Sequence, residues 1–261
     1  MSNLNTAVQK ANQQGQLALM VYAIPNFPDP ETYGEILAVM ESHPTVTIIE
    51  TTLPVTGDFS RFANPVIREA HVQAAQFGDG IKLLKTLQPF TKPSVMVLYR
   101  QTLEASGFQA LMAKFQGRMD GVLFEWDAPG MDDYVQQSAP YGVELIQCAA
   151  PDMSDEELRG YMALTEAEPL VYLVSAAMTG AELFDMRDLK VCLEKVKQVR
   201  PAAKVVAGFG VRNAADIHRM AAINGLDGVI VGTAFLEIMP KGKDAVREYL
   251  DSLQAALRMI H

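Results

Sequence analysis

The chain has 261 residues, and 49% of them are hydrophobic, which supports a sizeable core and excludes an intrinsically disordered chain. Its 22 Lys and Arg residues are outnumbered by 31 Asp and Glu residues, a balance that argues against binding to a nucleic-acid backbone. The sequence contains no uninterrupted apolar run of about 18 residues, so no membrane span is predicted.

The polar N-terminus, MSNLNTAVQKANQQGQ, lacks an apolar signal core, and this favours a cytoplasmic location. Both cysteines, Cys148 and Cys192, lie in apolar runs and are interpreted as small buried residues in a reducing compartment. The four histidines show no ligand spacing, so no metal site is predicted. Two of them lie on predicted helices and are expected at the surface: His71 and His218.

Short apolar runs alternate with longer segments of helical period along the whole chain. In chain order they are LALMVYAI with PETYGEILAVMES; TVTIIE with NPVIREAHVQAAQ and DGIKLLKTL; SVMVLY with FQALMAKFQ; DGVLFEW with MDDYVQQSA; VELIQC with SDEELRGYMAL; PLVYLVS with MRDLKVCLEKVKQV; AKVVAGF with NAADIHRMAAI; and DGVIVG with KDAVREYLDSLQAAL. Strands this apolar are covered on both faces, as in parallel sheets. About eight such units in about 250 residues predict a closed (β/α)8 TIM barrel of the α/β class.

A doubly wound open sheet is the alternative fold. It usually has fewer strands and a glycine-rich first turn, whereas the first turn here, AIPNFPDPE, contains no glycine. No linker-like change of composition interrupts the chain. We therefore expect residues 1–261 to form a single barrel domain.

The chemistry of such barrels lies at the carboxyl ends of the strands. Glu50 ends the apolar run TVTIIE, and a buried acid without a partner is costly, so Glu50 is either paired or functional. The structural alternative is an ion pair with Arg61 or Arg68. The other polar residues at predicted strand ends are Tyr22, Tyr99, Arg100, Glu125, Asp127 and Gln147.

Small residues follow the last three predicted strands. Glycines there allow backbone N–H groups to approach an anion, and a short helix beginning at Thr233 would direct its positive end toward that anion. Barrels of this class commonly bind phosphate at this place, although plain turn glycines are the alternative. The candidate phosphate-binding residues are Thr179, Gly180, Gly208, Gly210, Gly232 and Thr233.

The segments GFGV and GLDGVIVGTAF resemble strands seven and eight of the tryptophan synthase α subunit family. The resemblance extends in order to YLVS…TG, DAP, LY and IE…LP, and covers about residues 17 to 240. It implies retro-aldol cleavage of indole-glycerol phosphate to indole and glyceraldehyde 3-phosphate. It also implies a pyridoxal-phosphate-dependent β-type partner subunit, and no cofactor is expected in this chain.

By its position, Glu50 matches the family carboxylate that moves protons. Partial desolvation against aromatic walls would bring its pKa near neutrality. Asp127, in WDAP, matches a residue near the mouth and the partner subunit, although a helix-cap role is the alternative. We interpret Tyr22, Tyr99 and Tyr172 as substrate-binding residues of the pocket wall, and ordinary core tyrosines are the alternative for the last two.

The resemblance breaks in the loop after Glu50. The family loop reads approximately S-D-P-x-x-D-G-P, and alignment of VTGDFSRFANP on its proline puts Ala63 where the second Asp belongs. Asp58, five residues earlier, is the remaining candidate for the second catalytic carboxylate. The loop SAAMTGAELF is also one residue shorter and lacks the family arginine. These departures leave open a different organic half of the substrate, or a catalytically silent subunit that binds phosphate and regulates a β-type partner. An unrelated sugar-phosphate isomerase or aldolase is disfavoured, since no predicted strand ends on a Schiff-base lysine.

Overall fold

Parallel strands form one curved sheet in the computed structural model, which describes the chain except residues 1–2, 58, 60–62, 79, 81–82, 84–88, 126–130, 165–167, 175–185, 209 and 260–261. The strands in the described residues are β1 (Ala18–Ala23), β2 (Ile48–Thr52), β3 (Ser94–Leu98), β4 (Gly121–Phe124), β5 (Glu144–Leu145), β6 (Gln147–Ala149), β7 (Leu170–Leu173), β8 (Lys204–Ala207) and β9 (Gly228–Val231). Their order in the sheet is β5-β4-β3-β2-β1-β9-β8-β7-β6.

The first and last strands in this order, β5 and β6, are neighbours in the chain. β5 pairs with β4 and β6 pairs with β7, and only Ile146 separates β5 from β6 in the chain. The Ile146 N–H donates to the Val122 carbonyl at 2.9 Å. The predicted TIM barrel is therefore confirmed, and its fifth strand, VELIQC, is divided into two short pieces.

Helices surround the sheet. In the described ranges they are α1 (Asn3–Gln13), α2 (Pro30–Ser42), α3 (Pro65–Ala75), α4 (Arg100–Ser106), α5 (Phe108–Phe115), α6 (Met131–Ser138), α7 (Asp155–Met162), α8 (Met186–Val199), α9 (Ala214–Ala221), α10 (Thr233–Ile238) and α11 (Lys243–Gln254). Two of these were not expected from the sequence, namely α1 and α4. Within the described part of the chain, none of the helices is both long enough and apolar enough to span a membrane.

Burial on both faces explains the apolar composition of the strands. On the outer face, Met96, Leu98 and Phe124 pack in one cluster with residues of α5, including Phe115. Because side chains alternate along a strand, the neighbouring residues of β3 point inward. Tyr99, one residue beyond β3, follows the same alternation toward the interior.

Helix α1 covers the amino-terminal end of the barrel. A Cβ placed on Gly121, the first residue of β4, would lie 2.8 Å from the Leu4 side chain, so Leu4 fills this end of the interior. The Asn12 amide donates to the Asp227 carbonyl at 2.8 Å. The Asp227 carboxylate pairs with Lys197 at 2.7 Å and with Lys204 at 2.8 Å. The amino-terminal end is thus occupied by packing and ion pairs, which leaves the carboxyl ends of the strands for chemistry.

We predict opposite stability effects for two Gly→Ala substitutions. A Cβ on Gly208 would lie 2.5 Å from the Ile230 Cβ, which belongs to the neighbouring strand. Gly208→Ala should therefore lower the free energy of unfolding by about 1–3 kcal/mol. Gly34, inside α2, has open space around its Cβ position, and Gly34→Ala should raise the free energy by about 0.5–1 kcal/mol. Urea unfolding measures both, and a Gly208→Ala variant as stable as the parent would contradict the close packing.

Candidate active site

Glu50 is the buried acid of the barrel interior. It lies in the middle of β2, its residue is only 3% exposed, and its register partner in β1 is Tyr22. Removal from water raises the pKa of Glu50 from its ordinary 4.5 to about 8, because burial disfavours the charged form. The protonated and ionised forms are therefore both accessible near neutral pH.

The proposed structural ion pair of Glu50 has no support among the described residues. Arg68 is exposed on α3, its Nε donates to the Ala63 carbonyl at 2.7 Å, and its guanidinium carbon lies 5.8 Å from the centre of the Phe59 ring. No ion pair within the described ranges includes Glu50. The other candidate, Arg61, lies outside the described residues.

Three tyrosines surround Glu50. Burial is the main cause that raises the pKa of Tyr22, Tyr99 and Tyr172, and the charge of Glu50 raises each pKa further. The Glu50 carboxyl group therefore lies within electrostatic reach of all three phenols. Tyr22 and Tyr99 also influence each other's pKa. The structure thus brings together the acid and the three aromatic residues that the sequence suggested for its walls.

His71 is buried in this site, so the expectation that it lies at the surface was wrong. Its Nδ1 accepts a hydrogen bond from the Val55 backbone N–H at 3.2 Å, and its Nε2 lies 3.2 Å from the Tyr22 hydroxyl. The residue is 0% exposed, and burial lowers the pKa of the imidazole to about 3. His71 is therefore neutral at physiological pH. On the same face of α3 lie the buried residues Ile67 and Ala74, four residues before and three after it, and this spacing could have located it.

An aromatic residue of the loop after β2 packs over this network. The Phe59 ring contacts His71 edge to face with centroids 5.3 Å apart, and Tyr99 with centroids 5.8 Å apart. The His71 and Tyr99 rings are themselves 4.6 Å apart. The Gln101 side-chain amide donates to the Gly57 carbonyl in the same loop. Asp58, between these two anchored positions, lies outside the described residues.

The predicted phosphate end is partly described. Gly210 has a φ of +77°, which favours glycine, and Gly232 immediately precedes α10. The Thr233 hydroxyl accepts a hydrogen bond from the Asn64 amide at 2.9 Å, and Asn64 also caps α3. Gly208 lies one residue beyond β8. Three candidates lie outside the described residues: Asp127, Thr179 and Gly180.

The remaining polar residues predicted at strand ends do not all face the barrel interior. Gln147 was expected at the mouth, but its amide donates to the Tyr161 carbonyl of α7 at 2.9 Å, so it faces the helix layer. Glu125 is half-buried, and its charge raises the pKa of Tyr99.

The exposure of His218 on α9 is as predicted. Cys192 is buried, whereas Cys148 is only half-buried.

One known protein family matches this chain along nearly its whole length. The sequence profile of the tryptophan synthase alpha chain family matches residues 8–260. The chain belongs to this family. Curated tryptophan synthase alpha chains that are similar to it include one from Bacteroides thetaiotaomicron, 26% identical over 98% of this chain and 100% of that protein. Another, from Deinococcus radiodurans, is 27% identical over 98% of this chain and 94% of that protein.

Solved structures show the same fold. A tryptophan synthase chain from Mycobacterium tuberculosis superposes with a TM-score of 0.84 at 22% identity, covering 99% of both chains. A tryptophan synthase alpha chain from Legionella pneumophila superposes with a TM-score of 0.79 at 20% identity, covering 98% of this chain and 97% of that chain. The fold of these tryptophan synthase chains thus matches this barrel along nearly its whole length.

We expect Glu50→Gln to change how stability depends on pH. Because the folded-state pKa is raised from 4.5 to about 8, the folded protein binds this proton more tightly than the unfolded chain. The stabilisation is fully present below about pH 4.5 and is lost as the pH rises to about 8. Relative to the parent, Glu50→Gln should therefore gain a few kcal/mol in the free energy of unfolding between pH 5 and pH 9. Urea unfolding across this range measures the difference.

The matched control is Glu104→Gln, at an exposed acid of α4. This variant should follow the parent at every pH. Parallel profiles for Glu50→Gln and the parent would mean that the Glu50 carboxyl titrates alike in the folded and unfolded states.

Proposed function

We propose that this member of the tryptophan synthase alpha family is a lyase that performs retro-aldol cleavage of indole-glycerol phosphate or a related phosphate-bearing substrate. The observation that carries the proposal is Glu50, a buried acid with a pKa of about 8 inside the barrel. Proteins named tryptophan synthase alpha chain match this chain along nearly their whole length.

The proposed reaction needs one group that both gives and takes a proton. Cleavage of the carbon–carbon bond places a proton on the indole ring carbon that is released, and removes a proton from the hydroxyl group that becomes the aldehyde. A carboxyl group with a pKa close to the working pH performs both transfers efficiently. Glu50 has this property, and Tyr22, Tyr99 and Tyr172 supply hydroxyl groups around it.

We assign the substrate phosphate to the carboxyl ends of β8 and β9. Gly208 and Gly210 follow β8, and Gly232 and Thr233 follow β9, so their backbone N–H groups are candidates to bind an anion. The predicted third wall of this site consists of Thr179 and Gly180, and Asp127 is the predicted polar residue of the mouth.

The second carboxylate of the family chemistry is missing from its aligned position in this chain. Ala63 stands at the aligned position, and it is buried. Asp58, five residues earlier, is the remaining candidate and would take this role only along a loop path different from that of the family, and Phe59 beside it packs over His71 and Tyr99. We also propose a tryptophan synthase β-type subunit as the partner. Ala63 favours a second candidate function, that of a weakly catalytic or silent α-like subunit that binds phosphate and regulates this partner.

We predict that Glu50→Gln removes lyase turnover. A group that transfers the proton contributes about 10²–10⁴-fold to the rate, so the loss should be of this size. Affinity for a phosphate ligand should stay within a few-fold, because the amide keeps the size of the side chain. The assay is indole release from indole-glycerol phosphate, with glycerol 3-phosphate binding measured by calorimetry. Full activity of the variant would show that Glu50 does not carry the proton.

A separate prediction concerns the second carboxylate. An acceptor aimed at charge that develops on the indole N–H is worth about 3–4 kcal/mol if it resembles other preorganised hydrogen bonds. Without it, the parent should turn over about 10²–10³-fold more slowly than a family member with both carboxylates. Ala63→Asp should increase turnover, and Asp58→Asn should change it by no more than a few-fold.

Ordinary turnover in the parent that collapses in Asp58→Asn would show instead that the carboxylate has moved along the loop. No turnover in the parent, together with partial gain in Ala63→Asp, would favour the silent subunit. Since Ala63 is buried, the unfolding curve of Ala63→Asp is measured beside the assay.

A further inference from the structure

Asn64 joins two helices at the carboxyl end of the barrel through its side-chain amide. Its Oδ1 accepts a hydrogen bond from the Ile67 backbone N–H at 3.0 Å and thereby caps α3. Its Nδ2 lies 2.9 Å from the Oγ1 of Thr233, the first residue of α10. Because α3 and α10 pack against each other, this contact connects the loop after β2 with the end of β9.

The cap determines the direction of the hydrogen bond between Asn64 and Thr233. A backbone N–H can only donate, so the amide atom that faces Ile67 must be the oxygen. The atom that faces Thr233 is then the amide nitrogen, which donates and does not accept. The Thr233 hydroxyl oxygen is therefore the acceptor.

This direction leaves the hydrogen of the Thr233 hydroxyl group for another acceptor. Within the described part of the chain, Asn64 is the one hydrogen-bond partner of the Thr233 side chain. Thr233 is 8% exposed and Asn64 is 7% exposed, so both side chains are more than nine-tenths buried. A buried donor without an acceptor costs free energy, and a ligand that supplies an acceptor removes this cost.

The strand ends around Thr233 carry glycines. Gly232 directly precedes it, and Gly208 follows β8, the neighbour of β9 in the sheet. Glycines allow a ligand to approach the backbone closely. The oxygens of a phosphate dianion accept hydrogen bonds, and those bonds are strong because the acceptor is charged. A phosphate at this place would therefore supply the acceptor for the Thr233 hydrogen.

We propose that Asn64 is a positioning residue for the substrate phosphate: by donating to the Thr233 hydroxyl oxygen, it leaves the hydroxyl hydrogen for a phosphate oxygen. Hydrogen bonds in a chain polarise one another, so donation by Asn64 also strengthens donation by Thr233. This inference rests on the proposed function only for the place of the phosphate, at the ends of β8 and β9. It does not depend on proton transfer by Glu50.

Two substitutions of Asn64 keep the cap of α3 and change the contact with Thr233. Ser and Asp cap helices about as well as Asn. The side chain in Asn64→Ser is too short to reach both partners, and glycerol 3-phosphate should bind about 3–10-fold more weakly, the effect of one ordinary hydrogen bond. In Asn64→Asp the second carboxylate oxygen accepts the Thr233 hydrogen and repels the anion, so the loss should exceed about 10-fold. Calorimetry measures both.

Substitutions of Thr233 test whether Asn64 acts through the hydroxyl group. Thr233→Val removes this group and should weaken glycerol 3-phosphate binding by about 10–100-fold, whereas Thr233→Ser keeps it and should bind nearly as the parent does. Adding Asn64→Ser to Thr233→Val should cause no further loss. Unchanged affinity in Thr233→Val, or losses that add in the double variant, would overturn the proposal, even if the single Asn64 variants fail to fold.

Nuclear magnetic resonance separates this role from that of a simple helix cap. The side-chain amide signals of Asn64, assigned with Asn64→Ser in ¹⁵N-labelled protein, should shift when glycerol 3-phosphate is added. They should stay in place when glycerol is added, because glycerol lacks the phosphate. Amide signals that do not move at saturating glycerol 3-phosphate would contradict the proposal.

The control is Ser154→Asn, which makes the reverse exchange at the exposed cap of α7 and should leave the affinity unchanged. The outcome is separable from that of the proposed function. If glycerol 3-phosphate binds as expected in all variants but the parent releases no indole, the lyase reaction fails and the role of Asn64 stands. If the parent releases indole while the Asn64 variants bind glycerol 3-phosphate as the parent does, the role of Asn64 fails. A parent that binds no glycerol 3-phosphate would also overturn it.

Discussion

The burial of one carboxyl group inside a closed parallel barrel is the constraint on which the site depends. Every residue of β2 is buried, and Glu50 occupies a place in it that a valine or isoleucine would fill at lower cost. Within the described residues this cost is not offset by an ion pair. It appears instead as a pKa of about 8. β2 is paired on both sides, with β1 and with β3, and this position inside the barrel keeps water away from Glu50.

The two ends of the barrel contain different kinds of interactions. At the amino-terminal end, Leu4 fills the interior, and Asp227 pairs with two lysines. The buried acid at this end is therefore paired with two cations. At the carboxyl end, three phenols lie within electrostatic reach of Glu50, and they can donate and accept hydrogen bonds without adding a full charge. Among the buried acids of the described residues, Asp216 and Asp227 have ion pairs, and Glu50, at the candidate site, has none.

Much of this arrangement could be predicted from the sequence, since the relevant signals are local. The apolar runs and helical periods predict the barrel, and Glu50 stands out because a carboxylate ends such a run. Other features depend on contacts between distant segments. The break at Ile146 follows from pairing with two different strands, and no residue in VELIQC marks it. Phe59 lies in a loop without periodicity, so its packing on His71 could not be predicted. His71 was expected at the surface because the expectation did not take into account that it shares the buried face of its helix with Ile67 and Ala74.

The hydrogen bond between Asn64 and Thr233 joins residues that are 169 positions apart in the chain. β1, which carries Tyr22, likewise obtains its second neighbour only from β9. During synthesis from the amino terminus, the strand that carries Glu50 is thus complete long before its surroundings exist. Contacts of such long sequence separation form late, because the entropy of closing a large loop must first be overcome. The candidate active site of this barrel therefore reaches its final form only after nearly the whole chain has left the ribosome.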